Sequence, residues 1–441
     1  MAADAAEVRG EWFAAMCRRR PQDFTRRRKM GCDDVFRAII ARKGRSLKIE
    51  LRELGKERGM PHISAPGLLK AREKLDPGAI AHMTTRHASR VYDDGDFRTA
   101  SGFVLLAVDG SSAVVPTNPE TLAAYGNASG SGRPRAVCGL SCLYDVVNRQ
   151  VLDLEVCRGG FDERSMVMGH AAVARSLLGE TPWLLVMDRG YPSLELMSSL
   201  DRAGARYLMR CPPSFLEAEF RACAEAGGDA PLDVRLTAKR LSGSRRLAAD
   251  PAARDALLAG GLRARFATVE VAGREERLVT NVSEAELPHG ELADAYRARW
   301  GAGACFQMMK DRLQMEAFAG TKPLLIEQDI HATAYLLNVA FDLANEADLG
   351  LPVRPAGAHR MTVNRSYTLG VAKEKLVGAF LAPPAESAAL MDAVVEELRG
   401  VPGAREAGPR VQPRGSEQPL EAEAQQHDPQ EGCSDDSGGL S

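Results

Sequence analysis

Residues 296–310 read YRARWGAGACFQMMK, and the spacing within this stretch decides our interpretation of the fold. Three of its positions carry Tyr296, Arg299 and Lys310, and a fourth is Gly303. At about 100° per residue, positions three, seven and fourteen after a first residue fall at roughly 300°, 340° and 320° around an α-helix. The four positions therefore share one stripe of a predicted helix. A carboxylate in that stripe could bind a metal while Arg299 and Lys310 hold phosphates; the alternative is an ordinary surface helix with scattered cations.

Two apolar runs of strand length end in aspartate. FVLLAVDGS, residues 103–111, reaches Asp109, and WLLVMDRGYPS, residues 183–193, reaches Asp188, with Gly following within two residues in each case. An Asp in such a place is commonly a turn residue that hydrogen-bonds its own backbone. If the two strands are neighbours in one sheet, however, their carboxylates meet at one edge, where a two-metal site can form.

The three segments resemble the motifs of the insertion-sequence-four group of DDE transposases. In that family Tyr, two residues, Arg, three residues, Glu, six residues and Lys follow one another on one helix, and the two Asp residues lie in "IDGS"-like and "DRGY"-like strand ends. Residues 108–111 and 188–191 match these strand ends. Between them, CLYDVVNRQVLDLEV, residues 142–156, resembles the family's hairpin, and FDERSMVMGH, residues 161–170, resembles its following helix start. The motifs keep the family's order over roughly residues 20–345.

This resemblance implies an α/β fold with a ribonuclease-H-like core and a β-rich insertion, preceded by a small helical DNA-binding domain. It implies a site for two Mg²⁺ or Mn²⁺ ions, in which Asp109 bridges both ions and Asp188 binds one, so that both residues are catalytic. It also implies double-stranded DNA as partner, namely terminal inverted repeats and target DNA, and a homodimer in a synaptic complex. The DNA contacts that it implies around the site are Tyr296, Arg299, Lys310, Arg189 and Tyr191.

The family's third catalytic carboxylate falls on Gly303, which has no side chain to offer. The nearest acids along the predicted helix are Asp311 and Glu291, roughly 12 Å and 18 Å away along its axis and on other faces. Three functions follow. The chain is a transposase with normal or impaired activity, a transposase-derived DNA-binding protein or repressor that lost its chemistry, or another metal-dependent phosphohydrolase built on the same two Asp residues. The order of the motifs favours the transposase, with Gly303 leaving the second ion poorly held.

The formal net charge of the chain is only −2, but its charge is unevenly distributed. From Arg18 to Lys56 basic residues outnumber acidic ones almost three to one, and the cluster Arg26, Arg27 and Arg28 lies within FTRRRKM. A local basic segment attracts phosphate over a Debye length, so we predict DNA contacts at these three arginines. The alternative is a solvated helical face.

Composition and periodicity, together with the functions that the resemblance implies, predict four parts: a helical DNA-binding domain at 1–95, the catalytic domain at 96–345, a helical region at 346–400 and a disordered tail at 401–441. The β-rich insertion is expected at about 207–285. Its predicted strands are Tyr207–Arg210, Leu232–Leu236, Arg263–Val271 and Glu275–Thr280.

Other sequence features argue against alternative classes of protein. No run of about eighteen apolar residues and no leader of signal-peptide form is found, so we expect a cytoplasmic protein without a membrane partner. The nine cysteines include no Cys-x-x-Cys pair, which predicts reduced thiols rather than a structural metal site. His170 and His331 fall in predicted helices, where a core or surface role is expected.

Overall fold

The computed structural model describes residues 2–26, 29–57, 62–95, 97–128, 132–241, 244, 247, 250–352, 361–403 and 411–413. Within these ranges the chain forms an eight-stranded sheet, a two-stranded ribbon and flanking helices. The strands are β1 (Arg98–Ala100), β2 (Val104–Val114), β3 (Val137–Asp145), β4 (Gln150–Arg158), β5 (Trp183–Met187), β6 (Tyr207–Cys211), β7 (Asp229–Asp233), β8 (Arg263–Val271), β9 (Arg274–Thr280) and β10 (Val411–Pro413).

Helices surround this sheet on both faces. They are α1 (Ala2–Val8), α2 (Glu11–Met16), α3 (Cys32–Ile40), α4 (Leu47–Glu57), α5 (Ala65–Arg72), α6 (Pro77–Asp93), α7 (Pro119–Tyr125), α8 (Val167–Leu178), α9 (Leu194–Arg202), α10 (Glu217–Glu225), α11 (Ala238–Leu241), α12 (Pro251–Gly260), α13 (His289–Ala298), α14 (Trp300–Gln307), α15 (Pro323–Leu349), α16 (Arg365–Leu381) and α17 (Pro384–Arg399). None of the helices in the described ranges is long and apolar enough to cross a membrane.

The large sheet has the strand order β4-β3-β2-β5-β6-β9-β8-β7. Strand β2 pairs antiparallel with β3 and parallel with β5, and β5 pairs parallel with β6. This mixed sheet with helices on its faces fits the predicted ribonuclease-H-like core. Successive side chains of β2 point to opposite faces. Leu106 and Val108 belong to the buried cluster that includes α8, whereas Leu105 and Ala107 belong to the clusters that include α13 and α14.

The predicted hairpin is formed by β3 and β4, and a buried aspartate organises its turn. Asp145 Oδ1 accepts hydrogen bonds from the backbone N–H groups of Val147 and Asn148, each at 2.8 Å. Tyr92 donates to Asp145 Oδ2, also at 2.8 Å. Arg149 completes the turn with φ +60°, a left-handed conformation. Burial raises the pKa of the Asp145 carboxyl, and these donors offset part of that effect.

The β-rich insertion continues the central sheet, because β9 pairs antiparallel with β6. Three of its predicted strands agree with the structure to within one residue at each end. The fourth, predicted at 232–236, lies three residues earlier, at Asp229–Asp233. Pairing with β8 explains this shift, since Arg265 donates to Asp229 Oδ1 at 2.7 Å and to the Leu287 carbonyl at 2.6 Å. Long-range pairing overrides local propensity here.

The amino-terminal helices share one hydrophobic core with α15, α16 and α17. Arg72 at the end of α5 is fully buried and donates to Gln328 Oε1 at 2.9 Å, to the Leu325 carbonyl at 2.8 Å and to Asp329 Oδ1 at 2.8 Å. The predicted boundary near residue 95 therefore divides the sequence but not the hydrophobic core, because helices from both sides of it pack together. That residues 1–95 act as a DNA-binding unit stays a prediction.

One feature near the carboxyl end differs from expectation. Val411–Pro413, inside the segment predicted to be disordered, forms β10 and pairs antiparallel with β1. Residues 404–410 and 414–441 lie outside the described residues. The long helix α15 carries His331, whose pKa is lowered to about 4 by burial.

Candidate active site

The strand register brings Asp109 and Asp188 to the same edge of the sheet. The parallel pairing of β2 with β5 ends with Ala107 opposite Val186, and two further residues along each chain bring Asp109 level with Asp188. Strand β5 ends at Met187, whereas β2 continues to Val114 on its pairing with β3. Asp109 thus lies within β2. The sequence pattern had predicted it at the end of the strand. Neighbouring strands are about 4.8 Å apart, so the two carboxylates are neighbours.

One oxygen of each carboxylate also makes the bond expected of a turn residue. Asp109 Oδ1 accepts from the Gly110 backbone N–H at 3.1 Å, and Asp188 Oδ1 accepts from the Gly190 N–H at 2.7 Å. These bonds fix the orientation of each side chain. We call Asp109 and Asp188 the carboxylate pair.

The Asp109 carboxyl of the pair is largely buried and lies near other negative charges. The pKa of the Asp109 carboxyl is raised from 3.8 to about 6, first by burial and also by the charges of Asp188 and Glu163. The Arg299 guanidinium and the Gly110 N–H act in the opposite direction. A buried carboxylate beside like charges is stabilised when a cation binds between them. The pair is therefore suited to hold a hard divalent ion through oxygen ligands.

The motif helix that faces the pair is not continuous. Helix α13 ends at Ala298, α14 runs from Trp300 to Gln307, and a π-helical turn follows at Met308–Arg312. Such turns are frequent at functional sites because they change the direction of a side chain. In this turn Lys310 Nζ donates to Ser111 Oγ at 2.8 Å, so the last residue of the motif contacts β2.

Gly303 faces Asp109 across an open space. A Cβ built on Gly303 would have Asp109 Oδ2 as its neighbour at 4.0 Å. Gly303 is exposed, and so is Ala304 beside it. A longer side chain at position 303 would therefore extend toward Asp109, while glycine offers no ligand.

Arg299 and the two tyrosines of the motifs surround the pair. The Arg299 guanidinium lies over the Tyr296 ring, 5.9 Å from its centroid, and its charge acts on Asp109. Tyr191 and Tyr296 are each only 1% exposed. This burial speaks against the direct DNA contact predicted for both tyrosines and favours a role in supporting their neighbours. Arg189, by contrast, is exposed, as a DNA contact requires.

An acid on the α8 face of β2 was missed by our sequence reasoning. Glu163 lies in a single 3₁₀ turn at Glu163–Ser165, and Asp162 caps this turn by accepting from the Arg164 N–H at 3.3 Å. A Cβ built on Gly110 would stand 2.2 Å from Glu163 Oε1. The sequence signal was present in FDERSMVMGH, which we had taken only as the start of a helix.

In the described ranges, no group of three or more His, Cys, Asp and Glu side chains is arranged to hold a metal ion. The oxygen donors of the carboxylate pair suit Mg²⁺ or Mn²⁺ in their chemistry. They fit such an ion as two of its ligands. A third carboxylate is not in place beside them.

A second candidate region is a basic cavity of about 870 Å³ at the amino-terminal helices. Four cationic side chains line it: Arg26, Lys29, Lys70 and Lys74. Arg27 and Arg28, which were also predicted to contact DNA, lie outside the described residues. Lys70 and Lys74 on and after α5 were missed by the sequence reasoning, because only the fold brings them beside Arg26.

Comparison with known proteins gives three findings. Residues 100–339 match the model of a family described as transposase DDE domain. The transposase InsG for insertion sequence element IS4 of Escherichia coli (strain K12) is 25% identical over 291 residues, which are 63% of this chain. The chain spans 61% of the length of that relative. A cryo-EM structure of the piggyBac transposase synaptic complex with hairpin DNA aligns over 90% of this chain and 82% of that chain, at 10% identity and a TM-score of 0.41.

Proposed function

Since this chain belongs to the DDE transposase family, in the IS4 group, we propose that it binds the ends of an insertion sequence and catalyses metal-dependent cleavage and transfer of DNA strands there. The single observation that carries this proposal is the strand register that makes Asp109 and Asp188 neighbours, with Arg299 and position 303 facing them. The substrates are the terminal inverted repeats and the target DNA.

Each residue has a defined part in this mechanism. Asp109 and Asp188 would hold the metal ion, and both would do so as ionised carboxylates. Mg²⁺ or Mn²⁺, when bound, supplies activation of the attacking water or 3′ hydroxyl and stabilisation of the leaving oxygen. Arg299 and Lys310 bind phosphate oxygens beside the scissile bond. Lys310 must exchange its bond to Ser111 for one to DNA.

The supporting residues keep Arg299 in position. Tyr296 is buried beneath the guanidinium, and burial raises the pKa of its hydroxyl, while Arg299 and Arg210 beside it act in the opposite direction. A cation over a tyrosine ring is stabilised by the ring quadrupole and by the loss of competing water. Arg299 can therefore hold a phosphate and balance the negative charge of the carboxylate pair.

DNA outside the catalytic site is bound by the basic cavity and by exposed Arg189. The four cations of the cavity form a local positive surface on a chain whose formal net charge is −2. Cationic side chains of this kind contact DNA phosphates, and such contacts do not depend on the DNA sequence. We propose that the cavity binds DNA flanking the cleaved bond, and that two copies of the chain bring two ends together.

One observation favours a second candidate function. Gly303 has no side chain, and no three-ligand group is found among the residues that the structure describes. A transposase-derived protein that binds the terminal repeats without cutting them, and so represses related elements, would tolerate this loss.

Binding and cleavage of one DNA fragment separate these functions. The fragment is taken from the DNA flanking the gene and carries its terminal repeat, with a scrambled repeat as the control. A transposase binds the repeat selectively and cuts it when Mg²⁺ or Mn²⁺ is added. A repressor binds it equally well but leaves both strands intact. Hydrolysis of both fragments without selective binding would reject both functions and favour another metal-dependent phosphohydrolase.

A further inference from the structure

Two buried thiols meet where helices α2 and α3 pack together. Cys17 caps the end of α2, and its backbone N–H donates to the Phe13 carbonyl at 2.9 Å, whereas Cys32 is the first residue of α3. Phe13 precedes Cys17 by about one helical turn and Phe36 follows Cys32 by about one turn. The two rings are in contact, with centroids 5.5 Å apart. The same helix faces therefore bring Cys17 to Cys32, and the Cys17 thiol donates a hydrogen bond to the Cys32 sulfur.

The two thiols have opposite electrostatic environments. The pKa of the Cys32 thiol is lowered, first by the hydrogen bond from Cys17 and also by backbone N–H groups at the start of α3, while burial and Asp33 act in the opposite direction. The same hydrogen bond, together with burial, raises the pKa of the Cys17 thiol. The thiolate is the nucleophilic form of cysteine, and a helix N-terminus favours it. Cys32 is therefore the nucleophile of the two, and Cys17 keeps its proton.

The exposure of the side chains agrees with these roles. Cys32 is 7% exposed, whereas Cys17 is completely buried. Cys157 is more exposed than either, but burial and the charge of Glu155 raise the pKa of its thiol to about 11. An oxidant that selected cysteines by exposure would react with Cys157. An oxidant that selects thiolates reacts with Cys32.

We infer that Cys17 and Cys32 form a redox-active dithiol that hydrogen peroxide converts into a disulfide. The Cys32 thiolate attacks one oxygen of the peroxide, the O–O bond breaks, and hydroxide leaves with the electron pair, so that a sulfenic acid forms on Cys32. The Cys17 sulfur then attacks the Cys32 sulfur, and the Cys17 proton leaves with the sulfenic hydroxyl as water. The two cysteines are oxidised, the peroxide is reduced, and no other reactant is needed.

The disulfide closes a basic loop, residues 18–31, in which basic residues far outnumber acidic ones. Arg26 and Lys29 of this loop line the basic cavity, and the Arg19 N–H donates to the carbonyl of Lys74, which lines the cavity as well. A crosslink between the two ends of a loop removes conformations that are otherwise open to it. A surface whose cations are fixed in this way loses less entropy when it binds a ligand. The effect on DNA binding rests on the proposed function, because it requires the cavity to bind DNA.

Peptide mapping of the full chain after brief treatment with hydrogen peroxide tests the inference. Free thiols are alkylated, the protein is digested, and the peptides are identified by mass spectrometry, with protein treated with dithiothreitol as the reduced control. The expected product is a pair of peptides joined through Cys17 and Cys32, formed before Cys157 is oxidised. This measurement on the wild type does not depend on the folding of any variant.

Three variants assign the role of each thiol, and thermal unfolding confirms that they are folded. In Cys17→Ala the reaction should stop at the Cys32 sulfenic acid, which dimedone traps. Cys32→Ala should give neither the sulfenic acid at this pair nor the disulfide. Cys157→Ala removes a more exposed thiol and is the matched control, expected to form the disulfide like the wild type.

Fluorescence anisotropy measures the effect on DNA binding at one salt concentration. The oxidised wild type should bind DNA at least about threefold more tightly than the reduced form, and Cys32→Ala should show no such difference after the same treatment.

The outcomes separate the inference from the proposed function. Absence of the joined peptides, or oxidation of Cys157 before Cys32, overturns the inference. A disulfide that leaves DNA affinity unchanged overturns its effect on the basic loop but not the proposed function. Absence of DNA binding in both redox states rejects the proposed function of the basic cavity, while the peptide map still decides whether the disulfide forms.

Discussion

Position 303 is where the sequence pattern predicts a third carboxylate and this chain has glycine. The Cβ position at 303 has Asp109 Oδ2 as its neighbour at 4.0 Å, so a carboxylate introduced there extends toward the pair without a clash at its first atom. Replacing Gly303 also favours the helix by up to about 1 kcal/mol, since glycine is a poor helix former. The local structure therefore accepts glutamate at this position.

We predict that Gly303→Glu increases Mn²⁺-dependent nicking of a terminal repeat. The physical reason is a further ligand, which improves both metal affinity and control of its geometry. Nicking is measured on end-labelled DNA with purified protein. Gly303→Gln is the matched control, because it keeps shape and helix propensity but not charge. Equal and robust cleavage by wild type and Gly303→Glu would show that another residue already supplies the third ligand.

The Asp109 carboxyl predicts a pH dependence for the metal-free protein. Its pKa rises from 3.8 to about 6 on folding, so the folded state binds the proton more tightly than the unfolded chain does. The stability contributed by this proton is fully present below pH 4 and is lost as the pH rises through about 6. Chemical denaturation at several pH values should show the loss, and Asp109→Asn should remove it. An unchanged pH profile in Asp109→Asn would contradict this assignment.

At the scale of single elements, the motif helix shows what spacing can and cannot predict. Helical spacing correctly brought Arg299, Gly303 and Lys310 to the side of β2. It did not predict the interruption at Arg299 or the π-helical turn at Met308–Arg312, from which Lys310 donates to Ser111 on a distant strand. Likewise, apolar runs predicted β2 and β5, but only their pairing shows that Asp109 and Asp188 are level.

Glu163 and Arg72 escaped the sequence reasoning for a common reason. Each lies in a short helical segment whose polarity indicates a solvated surface. The fold turns Arg72 inward to Asp329 and brings Glu163 against Gly110. Polar residues with distant partners are identified only when those partners are known, since the pattern of the segment itself is unchanged.

Helix α5 supplies a prediction about stability. Arg72→Met removes the buried partner of Asp329 and should lower the free energy of unfolding by about 3 kcal/mol, the lower end of the usual cost, because Arg42 still lies 3.4 Å from Asp329. Urea denaturation measures the effect. Lys70→Met on the same helix is the control and should change stability by no more than about 0.5 kcal/mol. Equal stability of both variants would show that the buried bonds of Arg72 are dispensable.

The basic cavity predicts a salt effect on DNA binding. Neutralising Arg26, Arg27 and Arg28 together should weaken binding to all sequences and reduce the slope of log K against log salt by up to about three units. Lys70→Ala with Lys74→Ala should reduce it by up to about two units if both cations of the cavity bind phosphate. Fluorescence anisotropy over a range of salt concentrations gives the slopes. Unchanged slopes would show that these cations form a solvated surface that does not bind DNA.

At the scale of the whole molecule, the parts predicted along the chain are physically joined. The amino-terminal helices share a core with α15, and the β-rich insertion extends the central sheet through β9. Composition and periodicity predicted a division along the chain but not these connections, because pairing and packing between distant segments have no local signal.

The central claim is that the carboxylate pair performs metal-dependent DNA cleavage, and strand cleavage by pair variants tests it most directly. Wild type, Asp109→Asn and Asp188→Asn are compared on end-labelled DNA that carries the terminal repeat, with Mn²⁺, after equal binding of the DNA has been established. The account predicts measurable nicking by the wild type and only background cleavage by both variants. Cleavage that persists in either variant, or no cleavage by wild type and Gly303→Glu on DNA that they bind selectively, would contradict it.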